Sequence, residues 1–476
     1  MSRISLHMAN GGTQRSSKVD QVLNEYEGTS IEKAEGLAYS PDQNFSGAPS
    51  LSPLTTQSIQ GTLVDETFKS RALWLWPRLN KTKMNNNLSH EATVVKSLGS
   101  PVDPFFSEGG VNAFSEAEFD RITTRAKFIS ENIEVPDTAA IIRGGLDGNN
   151  SALETRTRLG IKNMLGFMER WLIEGDSDVS TLQIDGFRKG VLARGVVVDL
   201  KGRAPNSEDI ENVVGELQAD GRHAMDLEAF TDPRVKRVLT TLDAASGRYP
   251  KDRGGVVSRI GGPSDVILTT ETGEAPVYSM QLIGMQDSYA AAGLGDGKPT
   301  VAASGVAAVS ADALSRFSAT DVGEYDYVVV PVGDKGVGAP IAYSAVTIGS
   351  GEKAVFTLAD AAVSATKNTT GMVRYYRLYR TEADGTLTGY IGQFTRAAFG
   401  VNTTITDLNV RRPFKRPIFI GEFNTDTVEW LQVQDMIRRP LAQTQTSIPF
   451  MLQVWGNLFF KQAQKWAIID NCAIKA

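Results

Sequence analysis

The chain has 476 residues, 41% hydrophobic and 22% charged, with a formal net charge of −6. That length exceeds one compact core, since domains run to about 100–200 residues, and no apolar run approaches the ~20 residues that span a bilayer. One cysteine, Cys472, excludes an internal disulfide framework, and the three histidines, His7, His90 and His223, stand far apart, which argues against a zinc site of the cysteine and histidine type.

Residues 1 to about 60 are rich in Ser, Gly, Asn, Gln and Thr and read as an extended arm with one short helix at Val19–Tyr26. The first twenty residues lack the apolar core of a secretory signal, so a protein made and kept in the cytoplasm is expected. From Thr67 to Leu98, SRALWLWPRL and HEATVVKSL are two extended runs separated by the polar stretch Asn80–Ser89, which predicts a β-hairpin with an exposed tip. Residues 66–100 carry six basic and two acidic side chains, whereas residues 101–295 carry 21 basic and 30 acidic ones. Such asymmetry points to contact between subunits before it points to nucleic acid.

Ser151 with Glu154 forms a capping box, and Leu153, Thr157, Ile161, Met164, Leu165, Met168, Trp171 and Leu172 recur at spacings of three and four. A helix is predicted over 151–174, ended by Gly175, with Glu169 off its apolar stripe; at 1.5 Å per residue it is roughly 34 Å long. Shorter helices are predicted at Ser207–Ala219 and from Thr231, with Pro233 in the first turn. From about Lys298 the composition shifts to Ala, Val, Thr, Ser and Gly, and short strand-like runs recur (EYDYVVVPV, KAVFTL, MVRYYRLYRT, LTGYIGQFTR), fitting a β-sandwich. In that module Tyr375, Arg377 and Tyr379 alternate with Tyr376, Leu378 and Arg380; Tyr325, Tyr327, Tyr375 and Tyr379 are candidates for outward contact, about half of them core by strand alternation. After Pro413 mixed structure returns, which implies that the sandwich interrupts a larger domain completed by the C-terminus.

Motifs that carry chemistry are absent or broken. GLGDGKPT has Ala292 where a phosphate-binding loop needs its first glycine and Pro299 after Lys298. A calcium loop at Asp176, Asp178 and Ser180 fails at Thr181 and at Phe187, where the turn glycine and the bidentate Glu belong. There is no G-x-S-x-G elbow, and Glu208, Asp209 and Glu211 suit the first turns of a helix through its macrodipole. No catalytic, cofactor-binding or metal-binding residues are therefore assigned. Arg71, Trp74, Trp76, Arg78, Lys81 and Lys83 could stack on and neutralise nucleic acid; in an acidic chain the favoured reading is a hairpin lying on a neighbouring subunit, with Leu73, Trp74, Leu75, Trp76, Arg78, Lys81 and Lys83 as interface candidates. The aromatics Phe450, Trp455, Phe459, Phe460 and Trp466 read as core or interface.

In this order the elements resemble the major capsid protein of tailed bacteriophages, the Hong Kong ninety-seven type. WLWPRLNKTKMNNNLSHEATVV resembles that family's extended loop, SALETRTRLGIKNMLGFMERWLIEGD its spine helix, and QIDGFRKGV the strand and turn that follow. PLAQTQTSIPFMLQVWGNLFFKQAQKWAIIDN is similar to the C-terminal end of capsid proteins from large contractile-tailed phages, in several of which an immunoglobulin-like module precedes this end. The resemblance implies an α+β phage capsid fold: N-terminal arm 1–60, extended loop 61–100, peripheral domain 101–180 with spine helix 151–174, axial domain 181–297, inserted immunoglobulin-like β-sandwich 298–410, and a return to the axial and peripheral domains over 411–476. It implies pentamers and hexamers in an icosahedral shell around double-stranded DNA, without sequence-specific binding, cofactor, membrane or catalysis. The protein would belong to the virion and be assembled in the host cytoplasm. An arm of about 60 residues is short for the scaffolding segment that some relatives cleave, so a separate scaffold protein is implied, with a portal and decoration or minor capsid proteins as further partners. Lys81 or Lys83 beside Asn85–Asn87 would be the place for the lysine–asparagine cross-link of one branch of that family. Alternatives are an encapsulin-type compartment of the same fold and a binding or adhesion module built on the sandwich.

Overall fold

The computed structural model describes residues 73–84, 87–97, 105, 116–138, 152–219, 222–245, 266–270, 273–283, 298–305, 307–360, 372–398, 400–443 and 446–474. The arm with its short helix, Arg71, Asn85 and Asn86, the capping residue Ser151 and Gly293–Gly297 lie outside them. Among the described residues the strands form four larger sheets and a two-stranded ribbon, which with the helices makes a mixed α+β, strand-rich chain.

Sheet I consists, in spatial order, of β1 (Lys81–Lys83), β19 (Val428–Pro440), β20 (Ser447–Phe460) and β4 (Lys127–Pro136). Its β1 runs parallel to β19, while β20 is antiparallel to β19 and to β4. Strand alternation in β4 sends Ile129, Ile133 and Val135 into the main core, which they share with Met164, Met168 and Trp171 of the long helix α2 (Ala152–Glu174) and with Leu452 and Val454. The close approach of α2 depends on Gly160, where a Cβ would overlap Ile133 Cδ1. Before it, residues Leu75–Arg78 form a single helical turn, α1.

Sheet II consists, in spatial order, of β5 (Val196–Asp199), β21 (Trp466–Cys472), β18 (Arg416–Glu422), β6 (Leu227–Thr231), β8 (Gly273–Ser279) and β7 (Val266–Thr270). Its strands are apolar at successive positions because both faces are covered. Ile418, Ile420, Ala467 and Ile469 pack with Val213 and Leu217 of α4 (Ser207–Gln218) and with Val235 and Leu239 of α5 (Pro233–Ala245). Phe230, Phe419 and Ile468 point the other way, into the main core, beside Phe187 and Val191 of α3 (Phe187–Arg194).

Between β8 and β18 the chain builds a sandwich. Sheet III is β10 (Ala308–Ala311), β14 (Glu352–Ala359) and β17 (Thr403–Asp407), with β9 (Ala302–Ala303) also on β14. Sheet IV is β12 (Gly336–Val337), β11 (Gly323–Gly333), β15 (Val373–Thr381) and β16 (Thr388–Thr395), with β13 (Ile341–Ile348) on β11. The two sheets enclose a core of their own, with Tyr327, Val329, Phe356, Leu358, Tyr376, Leu378 and Ile405. The other face of sheet IV is buried as well: Val328, Val330, Val332, Tyr375, Tyr379 and Tyr390 join the main core. This corrects one expectation, because Tyr325, Tyr327, Tyr375 and Tyr379 are all buried and neither face of β15 offers tyrosines to a partner.

Two further corrections concern the N-terminal third. SRALWLWPRL is not one arm of a hairpin: its end is α1, and the following β1 pairs in parallel with β19. The second run, β2 (Ser89–Ser97), instead pairs antiparallel with β3 (Glu118–Arg125), which lies beyond the expected boundary at residue 100. Glu169 is fully buried although it falls off the apolar stripe of α2.

Candidate contact surface

The residues singled out from sequence form a strap across the chain's own two central sheets. Leu75 and Leu79 are buried in the main core. Trp74 packs its ring 5.1 Å from Phe230, 5.2 Å from Tyr278 and 5.9 Å from Phe423, and Trp76 meets Trp430 edge-on at 5.1 Å. No side chain of the strap caps α1. The buried carboxylate of Glu169 does so from the long helix, accepting the backbone N–H groups of Trp74, Leu75 and Trp76 at 2.7, 2.6 and 2.8 Å. Burial pushes the Glu169 carboxyl above its ordinary range, against the pull of those three donors.

Charges finish the strap. Arg78 pairs with Glu228 of sheet II and lies over the rings of Tyr278 and Trp74 at 4.7 and 4.9 Å. Lys81 sits 4.5 Å above Trp76, and Lys83 reaches Asp435 at 3.6 Å. Leu73 is half-buried. Within the single chain Trp74, Leu75, Trp76 and Arg78 thus already have partners, Leu75 buried and Leu73, Trp74, Trp76 and Arg78 half-buried, while Lys81 and Lys83 are exposed.

Two exposed features were legible from sequence only in part, through Val95 and Trp455, and their partners Phe119 and Phe128 were not singled out. The first is the β2–β3 ribbon. His90, Ala92 and Ile122 lie on its inner side, His90 edge-on to Phe459 at 5.4 Å, and Ala92 and Ile122 against the small cluster of Met84, Ala126, Leu431 and Phe459. Asp120 fastens the ribbon to Arg194 at the end of α3, at 2.8 Å. The opposite side carries Glu91, Thr93, Arg121 and Thr123, and ends in the cross-strand pair Val95 and Phe119, 49% and 64% exposed. The alternation could have marked β3 as a strand, but nothing local says which strand it joins.

The second is the outer face of sheet I. Phe128 is 57% exposed and meets Trp455 edge-on at 5.1 Å, and the Arg439 guanidinium lies 5.3 Å from the Trp455 ring. Ser130, Asn132 and Glu134 continue the face along β4. An exposed aromatic on a sheet face and an exposed apolar ribbon end are each the pattern of a surface completed by another molecule.

Among the described residues no group of three or more His, Cys, Asp or Glu is placed to hold a metal ion, and no helix is long and apolar enough to cross a membrane. Asp176, Asp178 and Asp185 converge on Lys189 at 3.3, 3.0 and 2.8 Å, so a lysine occupies the space that the calcium-loop reading would have given to an ion. A cleft of about 480 Å³ opens between the turn after α2 and sheet IV, but its charged groups are engaged, Arg374 by Asp334 and Arg396 by the carbonyls of Ala397 and Val373. Cys472 is buried, which raises its thiol well above the ordinary range.

No family model matches the sequence. Over 153 residues the chain is 32% identical to a protein of Enterococcus phage phiEF24C provisionally named a major capsid protein; the match covers 31% of this chain and 31% of that relative's length. Among solved structures it is similar to the SrpI encapsulin of Synechococcus elongatus PCC 7942 (10% identity, TM-score 0.45, 90% of this chain and 96% of the other). It is also similar to the capsid of cyanophage P-SCSP1u (7% identity, TM-score 0.44, 91% and 97%) and to the capsid of a native GTA particle (10% identity, TM-score 0.46, 90% and 99%). At such identities and scores the architecture rests on the chain's own sheets and helices.

Proposed function

We propose that this chain is a major capsid protein, a structural and non-catalytic subunit that assembles into pentamers and hexamers of the icosahedral head of a tailed, double-stranded DNA bacteriophage. The observation that carries the reading is the 32% identity over 153 residues with the phiEF24C protein. The exposed ribbon and the uncovered outer face of sheet I agree with it, because a shell subunit must leave unsatisfied in the monomer what it buries in the assembly.

In this reading sheet I with α2 is the peripheral domain, sheet II with α4 and α5 the axial domain, and the sandwich an inserted immunoglobulin-like module of the kind found in large contractile-tailed phages. The extended loop is the β2–β3 ribbon, whose Val95 and Phe119 lie on a second copy of the chain. Lys81 and Lys83 stay at the subunit boundary as exposed cations. A separate scaffold protein, a portal and decoration or minor capsid proteins complete the particle, which forms in the host cytoplasm and encloses DNA without reading its sequence.

The test is to produce the chain with and without a candidate scaffold, then image it by negative-stain electron microscopy and size it by sedimentation. Closed shells, or rings of five and six, are expected. A stable monomer in the presence of scaffold would contradict the proposal, and shells that close around a protein cargo and never around DNA would move it to an encapsulin-type compartment.

A further inference from the structure

The long helix ends on a difficulty. Its last residue, Glu174, is a carboxylate at the negative end of the helix dipole, and the last turn of α2 contains no basic residue. The compensating cation comes from the chain that leaves the sandwich: Arg411 donates two hydrogen bonds of 2.6 Å to the Glu174 carboxylate, with the side chains 10% and 3% exposed. Burial opposes ionisation of Glu174, yet Arg411 outweighs it and holds the carboxyl below its ordinary range.

Sheet IV supplies more. Gln393 on β16 donates to the Glu174 carbonyl at 3.0 Å, one of the acceptors that a helix end leaves without a partner, and accepts from Gln183 at 2.8 Å. Tyr375 meets Trp171 edge-on at 6.2 Å, and the Arg377 guanidinium lies 5.7 Å over the same indole. The sandwich also has a closed core of its own around Tyr327, Phe356, Tyr376 and Ile405, which these contacts do not enter. The last turn of the helix has no cation of its own, and Arg188 of α3 adds only a through-space attraction to Glu174.

We infer that the sandwich is a splint for the C-terminal end of α2, and that Arg411 is a positioning residue supplying the cation that the helix lacks. The dependence runs one way, from helix to sandwich. The outward-looking face of sheet IV is thereby committed to the chain itself and is closed to receptors or glycans. This inference does not rest on the shell reading, because it concerns the single chain.

Hydrogen–deuterium exchange of the unassembled full-length chain tests it. Arg411→Met should raise exchange of the amides at 171–176 and 183–186 by about tenfold or more, while β14 and β17 in the sandwich core stay near the parent rate. Gln393→Ala should act at the same amides by a smaller factor. Adding Glu174→Gln to Arg411→Met should restore part of the protection, since no buried charge is then left unpaired. Unchanged exchange at 171–176 in both single variants would overturn the inference. So would loss of protection in β14 and β17 to the same extent, which would make the seam part of one undivided core.

Discussion

The strap at 73–83 and the ribbon of β2 and β3 (89–97 and 118–125) look alike in sequence and end in opposite situations. Both carry aromatic or branched apolar residues among basic ones, yet Trp74, Leu75 and Trp76 lie against the chain's own sheets while Val95 and Phe119 face outward. What separates them is the availability of partners for backbone and charge. The strap finds a carboxylate for its three leading N–H groups and a counter-charge for Arg78; the ribbon finds anchors along one side only. An apolar run thus announces that it will be covered, without saying by which molecule.

The contrast can be broken most forcefully at Glu169. Glu169→Ala removes the acceptor of three buried N–H groups and should lower the stability of the unassembled chain by ~3 kcal/mol, read as the shift in urea midpoint. An unchanged midpoint would mean that the strap is not held in the way described. Arg188→Met should act nearly as strongly, by ~3 kcal/mol, because it leaves Asp470 in sheet II buried without its cation.

Acid should distinguish the strap from the charged seams. Burial disfavours the anions of Glu174 and Asp470, but Arg411 and Arg188 outweigh it, so both carboxyls titrate below their ordinary values of 4.5 and 3.8. Their stabilisation is complete above those values and is lost as pH falls through the lower folded ones. Glu169 has the opposite sign: its raised pKa means that protonation favours the folded chain as pH falls. Melting followed at pH 7, 5 and 3 should show little change to pH 5 and a loss by pH 3. Arg411→Met with Glu174→Gln should flatten that loss, and Glu169→Gln should not.

The smallest effect is expected at the strap's outer end. Lys83→Ala breaks an exposed pair with Asp435 and should change stability by less than about 0.5 kcal/mol, a difference that 0.5 M salt removes. A larger loss in the monomer would show that Lys83 belongs with the buried part of the strap.

How much of this was legible varies with the range of the interaction. The long helix was legible because its period, Glu154 and Gly175 are local signals, and α2 runs Ala152–Glu174. Alternation in Tyr375–Arg380 divided the side chains between two faces, with Tyr376 and Leu378 in the sandwich core and Tyr375 and Tyr379 in the main one. That both faces would be covered was not legible, because it depends on where sheet IV is docked. The turn at Leu75–Arg78 was missed for a similar reason: its N-terminus is satisfied by a carboxylate 93 to 95 positions away, and Pro77 is as compatible with a first helical turn as with extended chain. Pairing of β2 with β3 spans the long connection between Ser97 and Glu118, and it gave way in the sequence reading to the shorter polar stretch at 80–89, which looked like the commoner hairpin turn.

The most direct measurement of the central claim is the double variant Val95→Glu with Phe119→Glu, produced with scaffold and examined both by urea titration of the free chain and by electron microscopy of the product. Both side chains are exposed in the single chain, so the midpoint should move by no more than about 0.5 kcal/mol while closed shells disappear. Shells that form as readily as those of the parent would contradict the account, and the ribbon would then be no part of the contact between copies.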